Sequence, residues 1–142
     1  MESEASVRIA GELRVVVGRL RRRLREIADV GDLSPSQVSV LSRLEKDGGA
    51  SASELAAKER VRPQSMAATL AVLDEQGLIR RDADPQDGRR QLVSLTDTGR
   101  QVLLANRRRR SEWLARRITE LDPDDREVLR RAVGILERIN AA

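Results

Sequence analysis

The feature that most limits how this chain can fold is a candidate β-hairpin spanning residues 79–96. Its sequence, IRRDADPQDGRRQLVSLT, predicts a strand, a tight basic loop and a returning strand. Asp87-Gly88 marks the turn, because glycine accepts the positive φ that tight hairpin turns require. Arg89 and Arg90 follow at once, so we expect a short ribbon that carries two guanidinium groups away from the protein body. Such groups fit the narrow, electronegative minor groove of DNA.

Helices are predicted for most of the chain before this hairpin. Apolar residues recur at helical spacing from Val7 to Asp29, which indicates one long amphipathic helix. Capping boxes at Ser34–Gln37 and Ser51–Glu54 then open two shorter helices. Pro63, at a first helical position, starts another helix that runs to Gly77. The two helices on either side of the joint before Pro63 predict a helix-turn-helix.

Two more helices are predicted after the hairpin, one capped by Thr96 and one by the acidic segment that begins at Asp122. The predicted fold class is therefore mainly α with a small β-hairpin (α+β), a winged helix-turn-helix with N- and C-terminal dimerisation helices. The terminal helices carry apolar stripes that one small domain cannot easily bury, so we expect them to pair with a second copy. The predicted dimer interface comprises Leu13, Val16, Leu20, Leu129, Val133, Leu136 and Ile139.

The length of the chain predicts a single domain over residues 1–142. The helix-turn-helix and wing are expected at about 34–98, and the dimerisation helices at about 7–30 and 99–142. We find no internal repeat and no low-complexity linker that would divide the domain further.

The composition excludes several classes of function. A net charge of +4 and a pI near 10.7 suit a polyanionic partner, with a solvated basic surface as the alternative. The chain has no cysteine and no histidine, so a disulfide framework, a thiol sensor and a structural zinc site are excluded, and no metal or cofactor is expected. It has no apolar run of membrane-spanning length and no signal-peptide layout, so we expect a cytoplasmic protein with no membrane partner.

The residues argue against an enzyme. Without His, Cys or Tyr, no nucleophile lies in a recognisable elbow, triad or glycine-rich phosphate loop. The carboxylates instead fall at helix starts, where capping and the helix dipole explain them. A second competing class is a winged helix used as a protein-interaction module, whose exposed face would be more apolar and whose wing would be less basic.

Two motifs carry a resemblance to a known family. DPQDGRR at residues 84–90 and VSLTDTG at residues 93–99 are similar to the wing and the following helix start of the multiple-antibiotic-resistance-regulator (MarR) family of bacterial transcription factors. Residues 51–56 and 73–79 match its two DNA-proximal helices more loosely, and the resemblance covers essentially the whole chain. It implies a homodimer that binds double-stranded DNA at a pseudo-palindromic operator, usually as a repressor. In many members a small aromatic or amphipathic ligand, bound between the dimerisation helices and the DNA lobe, releases the DNA.

The same resemblance implies roles for individual residues. Arg89 corresponds to the wing-tip arginine, and Asp87 to its brace. Ala68 lies where many members carry an arginine, and Arg62 occupies an N-cap position where Ser or Thr is usual, so strong base readout at Ala68 is not expected. The implied DNA-binding residues are Arg62, Pro63, Gln64, Ser65, Ala68 and Thr69 in the recognition helix, with Gln64, Ser65, Ala68 and Thr69 facing outward, and Asp87, Gly88, Arg89 and Arg90 in the wing.

Each of these features also has a plainer interpretation. The wing could be a surface hairpin whose charges only keep it soluble, and the polar recognition-helix residues could simply face water. Residues 107–110 are four consecutive arginines that point in four directions on a helix, so a solvated helix with intersubunit salt bridges is favoured over a phosphate site. Trp113, the only aromatic residue, is favoured as a packing or dimer-interface residue over a ligand platform. The shortage of aromatic side chains favours duplex over single-stranded nucleic acid.

Overall fold

The computed structural model describes residues 1–28 and 33–142. Within these residues four helices, two strands and two further helices follow one another in the predicted order, which confirms the fold class. The first helix begins three residues before the predicted Val7, because the Ser3 hydroxyl accepts a hydrogen bond from the Ser6 N–H at 3.1 Å and caps it. Its predicted end at Asp29 lies outside the described residues. The elements are α1 (Glu4–Ala28), α2 (Pro35–Asp47), α3 (Ala52–Glu59), α4 (Pro63–Glu75), β1 (Ile79–Ala83), β2 (Gln91–Leu95), α5 (Asp97–Thr119) and α6 (Pro123–Ala141).

The helix starts follow the capping chemistry written in the sequence. In α2 the Ser34 hydroxyl accepts from the Gln37 N–H at 3.2 Å, and the Gln37 side chain accepts from the Ser34 N–H at 3.0 Å. In α3 only half of the predicted capping box forms. The Ser51 hydroxyl accepts from the Glu54 N–H at 3.2 Å, whereas the Glu54 carboxylate pairs with Arg90 of the wing. A capping signal therefore fixed the start of α3, while tertiary contact decided where the Glu54 side chain lies.

The core lies between the helix-turn-helix and the base of the hairpin. Leucines of α2, α3 and α4 meet there, and Val93 of β2 and Leu103 of α5 close it from the other side. Burial of one such side chain stabilises the fold by about 1.5 to 3 kcal/mol. The buried apolar residues are Leu33, Val40, Leu41, Leu44, Ala50, Leu55, Ala56, Met66, Leu70, Leu73, Leu78, Ile79, Val93 and Leu103.

The two strands form the predicted antiparallel hairpin, with a longer loop than a tight turn requires. Ile79 pairs with Leu95 at the base and Ala83 pairs with Gln91 at the end, so residues 84–90 form the loop. The expectation of a positive φ at Gly88 is wrong: among the described residues only Arg60, Gly48 and Gly77 have one. Because seven residues share the reversal, no single residue has to adopt the left-handed conformation of a two-residue turn.

A backbone bridge fastens the hairpin to the helix-turn-helix. The Ala50 N–H donates to the Val93 carbonyl at 3.1 Å, and the Val93 N–H donates to the Ala50 carbonyl at 2.8 Å. Ala50 directly precedes the cap of α3, so β2 is tied to the start of that helix. The wing therefore extends from a base whose position is fixed relative to α3 and α4.

The terminal helices leave apolar surface uncovered in the single chain. α1 packs against α5, whereas no residue of α6 is buried. Among the predicted interface residues, Leu13 and Leu136 are half-buried. The others are 38% to 58% exposed: Val16, Leu20, Leu129, Val133 and Ile139. In the described parts of the chain, no helix is both long and apolar enough to cross a membrane.

Candidate nucleic-acid interface

Helix α4 has one buried face and one exposed face. Met66, Leu70 and Leu73 are at most 2% exposed and fix the helix on the core. Successive residues of an α-helix are about 100° apart, so Gln64 and Ala68 lie nearly opposite that buried face. Both are exposed. These two residues therefore have the outward placement that a recognition helix needs.

Ser65 and Thr69 lie to the side of this outward face. Thr69 is half-buried, and its hydroxyl donates to the Ser65 carbonyl at 3.1 Å. Both residues line a cavity of about 350 Å³ together with Arg21 and Arg25 of α1. Thr69 therefore does not face directly outward as expected, because its position on the helix is only about 60° from the buried Met66 and about 40° from the buried Leu73. Ser65 is exposed but borders the same cavity.

The start of α4 is formed by Arg62 and Pro63. Arg62 is the N-cap, with φ −70° and ψ 148°, and its side chain makes no capping hydrogen bond. Pro63 occupies the first turn, as predicted, where its missing N–H costs nothing. The N–H groups of the following residues receive no side-chain cap, and uncapped helix N-termini attract anions such as phosphate.

Arg89 is an exposed arginine of the wing loop. Asp87 braces it through the backbone: the Asp87 carboxylate accepts from the Arg89 N–H at 3.1 Å, and the Asp87 carbonyl accepts from the Arg90 N–H at 3.0 Å. Gly88 lies exposed between them, with open space around its α-carbon. In the described residues no carboxylate lies within ion-pair distance of the Arg89 guanidinium. Its positive charge is therefore available to a polyanion.

Arg90 does not share this outward position. Its Nη2 forms an ion pair with Glu54 Oε1 of α3, and its Nε lies 3.9 Å from Asp84 Oδ2. The expectation that both arginines extend away from the protein body therefore holds for Arg89 only. The ion pair between Arg90 and Glu54, which connects the wing to α3, holds the Arg90 side chain against the protein.

The other arginines of the hairpin are also paired. Arg80 Nε lies 2.8 Å from Asp82 Oδ2 on the same strand. Arg81 Nε lies 3.4 Å from Asp74 Oδ2 and so joins β1 to the recognition helix. These pairs are partly exposed and each contributes little stability. Among the described residues, Arg89 is therefore the one arginine of the hairpin without an ion pair.

A second cavity adjoins the first one at the junction of α1, α2 and α5. It has a volume of about 290 Å³, and its lining includes Arg21, Arg25, Val38 and Arg110. Arginines beside apolar side chains would suit a small organic anion. Within the described residues, this junction therefore brings several arginines next to apolar side chains.

Trp113 and the arginine run have structural contacts within the chain. The guanidinium carbons of Arg23 and Arg117 each lie 5.7 Å from the centre of the Trp113 ring, which is half-buried. Arg107 Nη1 lies 2.7 Å from Glu45 Oε1 of α2. Trp113 therefore joins α1 to α5, as a packing residue does, and one arginine of the run braces α5 against α2.

Comparison with known proteins places this geometry in a family. The MarR family model matches residues 33–90, which contain the helix-turn-helix and the loop of the wing. A helix-turn-helix-type transcriptional regulator of Mycobacterium leprae is 38% identical over 133 residues, covering 94% of this chain and 93% of that protein. The chain belongs to the MarR family.

Solved structures agree with this assignment. A transcriptional regulator of Pseudomonas aeruginosa has a TM-score of 0.82 and 40% sequence identity, with 98% of each chain covered. A mutant of the Staphylococcus aureus regulator MepR, bound to an oligodeoxyribonucleotide, shares the fold with a TM-score of 0.73 and 18% identity over 92% of this chain and 96% of that one. This MarR family chain is a DNA-binding transcriptional regulator and not an enzyme.

Two features of this MarR family site were not anticipated from the sequence. The sequence assigns Glu54 only a capping role, although its carboxylate also holds Arg90. Arg21 and Arg25 receive no site role from the sequence, although they line the cavity beside the recognition helix. No local spacing of residues in the sequence predicts either contact, because the partners lie on elements that are far apart in the sequence.

Proposed function

We propose that this MarR family protein is a homodimeric repressor that binds a pseudo-palindromic operator in double-stranded DNA. The single observation that carries the proposal is that Gln64 on the recognition helix and Arg89 on the wing are both exposed on one lobe, and Arg89 lacks a carboxylate partner among the described residues. The MepR mutant bound to an oligodeoxyribonucleotide supports DNA as the partner. Such a regulator would act in the bacterial cytoplasm, at the nucleoid.

The homodimer follows from the apolar surface of the terminal helices. Val133 and Ile139 of α6 and Val16 of α1 are 55% to 58% exposed in the single chain. Exposed apolar stripes of this length along two helices are characteristic of an interface. We propose that α1 and α6 of two copies interdigitate about a two-fold axis. MarR family regulators function as dimers, which supports this assembly.

The dimer would set the spacing of the operator. Two recognition helices related by a two-fold axis enter successive major grooves on one face of the duplex, about 34 Å apart. Gln64 would contact an adenine edge there, because an amide can make two hydrogen bonds to that base. Arg89 would enter the neighbouring minor groove, where it senses charge and groove width more than base identity.

We also propose that a small aromatic or amphipathic anion regulates the protein. The cavities beside α1 bring Arg21 and Arg25 next to apolar side chains. Ser65 and Thr69 of the recognition helix line one of them, so a ligand held there would contact the DNA-reading element directly. A ligand that fits the cavity only when α4 is displaced would lower the affinity for DNA.

Selection of DNA from a random duplex library tests the proposed function. The protein should enrich an inverted repeat whose half-site centres lie about 10 base pairs apart. Enrichment of a single, unrepeated site would contradict the two-fold operator. Failure to enrich any sequence would instead favour the competing protein-interaction module, which the exposed Arg89 argues against.

A further inference from the structure

Arg90 turns back from the wing loop toward the helix-turn-helix. Its Nη2 pairs with Glu54 Oε1, and its Nε lies 3.9 Å from Asp84 Oδ2, whose side chain is 15% exposed. The Asp84 N–H also donates to the Arg90 carbonyl at 2.9 Å, at the point where the loop leaves the strands. One side chain thus joins both ends of the wing loop to α3.

Glu54 is well placed to hold this arginine. Its N–H is fixed by the Ser51 hydroxyl at 3.2 Å, and the next residue, Leu55, is completely buried in the core. The carboxylate therefore projects from a helix turn whose position is determined by packing. The α3 start and residues 88–91 of the wing form the two walls of a cleft of about 730 Å³, and the ion pair spans it.

We propose that Glu54 and Arg90 are positioning residues, which fix the wing relative to α3 so that Arg89 is presented to the minor groove. This inference rests on the proposed operator binding. It assigns Arg90, a wing cation by its sequence motif, to the protein instead of to DNA. It also assigns to a carboxylate, Glu54, a favourable effect on binding to a polyanion.

The physical reason is the length of the wing loop. Within the loop itself, the described hydrogen bonds are the local ones made by Asp84 and Asp87, which shape the chain but do not set the direction of the whole loop. A loop that is free to move must lose that freedom when it binds, which lowers the affinity. An ion pair to α3 removes much of that motion before DNA arrives.

The sign of one mutational effect tests the proposal. Removing a carboxylate near DNA should strengthen binding if charge alone matters, because DNA is a polyanion. Positioning predicts the opposite for Glu54→Ala: affinity for the library-selected duplex should fall about threefold to tenfold. A loss of this size equals or somewhat exceeds the loss expected when a partly exposed ion pair is removed. The matched control is Glu75→Ala, which removes the same charge from an exposed residue of α4 with no ion pair in the described chain. It should leave the affinity unchanged or raise it.

A double-variant cycle separates positioning from a general effect on α3. With Arg89→Ala in the background the wing lacks the unpaired arginine that the Glu54–Arg90 pair is proposed to position, so Glu54→Ala should no longer weaken binding. Thermal unfolding of both single variants shows whether α3 remains folded, since the Ser51 cap uses the Glu54 backbone and survives the substitution. The proposal is overturned if Glu54→Ala binds at least as tightly as Glu75→Ala, or if its penalty is the same with and without Arg89. Absence of DNA binding by the unmodified protein would overturn the proposed function as well.

Discussion

Gly99, in the first turn of α5, lies directly against the backbone of Leu78. A Cβ on this residue would overlap the Leu78 carbonyl oxygen and would lie 2.8 Å from Leu95 Cδ1. Thr96 strengthens the same junction: its hydroxyl accepts from the Gly99 N–H at 3.0 Å and donates to the Gly77 carbonyl at 2.6 Å. The start of α5 is therefore fixed to the end of the recognition helix and to the base of the wing.

We expect Gly99→Ala to destabilise the protein by about 1 to 3 kcal/mol, because the added methyl group meets backbone atoms that cannot move away. Urea unfolding measures the change. The control is Gly88→Ala, since a Cβ there meets nothing within 4 Å and the residue lacks a positive φ. Its free energy of unfolding should change by less than about 0.5 kcal/mol. If Gly88→Ala lowered the free energy of unfolding as much as Gly99→Ala does, the described conformation of the loop would be contradicted.

A second prediction concerns the proposed dimer interface. Val133 is 55% exposed in the single chain and would be buried in the proposed dimer, where a charge is poorly tolerated. Val133→Glu should raise the dimer dissociation constant at least about tenfold, or about 1.4 kcal/mol. Sedimentation velocity over a concentration series measures it. Ala57→Glu, which adds the same charge to the exposed side of α3, should leave the dimer intact. A stable Val133→Glu dimer would mean that α6 is not in the interface.

The wing-tip arginine should act through charge. Arg89→Ala should weaken binding to the selected duplex and to a scrambled duplex alike, and should make the salt dependence shallower by about one unit of slope. Fluorescence anisotropy at several salt concentrations measures both quantities. Arg80→Ala removes the same charge from the hairpin, but Arg80 is already paired with Asp82 and should have a smaller effect. An Arg89→Ala variant that binds both duplexes normally would show that the wing is a solvated hairpin.

The recognition helix should act through base identity. Gln64→Ala should cost roughly 1 to 3 kcal/mol on the selected duplex and almost nothing on the scrambled one. Substituting each operator position in turn should show that the variant has lost its preference at one symmetric pair of positions. Gln76→Ala, at the exposed C-cap of the same helix, is the matched control and should bind both duplexes normally. Equal losses on both duplexes would assign Gln64 to the DNA backbone.

Local chemistry explains which parts of this structure the sequence predicts well. The caps at Ser34, Ser51 and Thr96 each depend on a partner three residues away, so their residue types identify the helix starts directly. The inward faces of the helix-turn-helix follow from apolar periodicity in the same way. The two short strand patterns on either side of Asp87-Gly88 likewise predict the hairpin of the wing.

The unanticipated features all depend on contacts between distant segments. Glu54 has the residue type of a capping box, and only the folded chain shows that its carboxylate pairs with Arg90. Thr69 is polar and therefore resembles an exposed residue, although α1 and α2 lie beside it. The φ of Gly88 depends on the length of the loop, which strand pairing sets. Residue type limits what a side chain can do, but tertiary packing decides which option it takes.

The salt dependence of duplex binding tests most directly whether the helix-turn-helix and the wing bind DNA as proposed. The unmodified protein should bind the selected duplex at least about 1,000-fold more tightly than a scrambled duplex of equal length. The logarithm of both binding constants should fall linearly with the logarithm of salt concentration, with a slope of about −0.9 for each phosphate contacted. Binding that does not respond to salt, or that does not distinguish the two duplexes, would contradict an operator-binding winged helix.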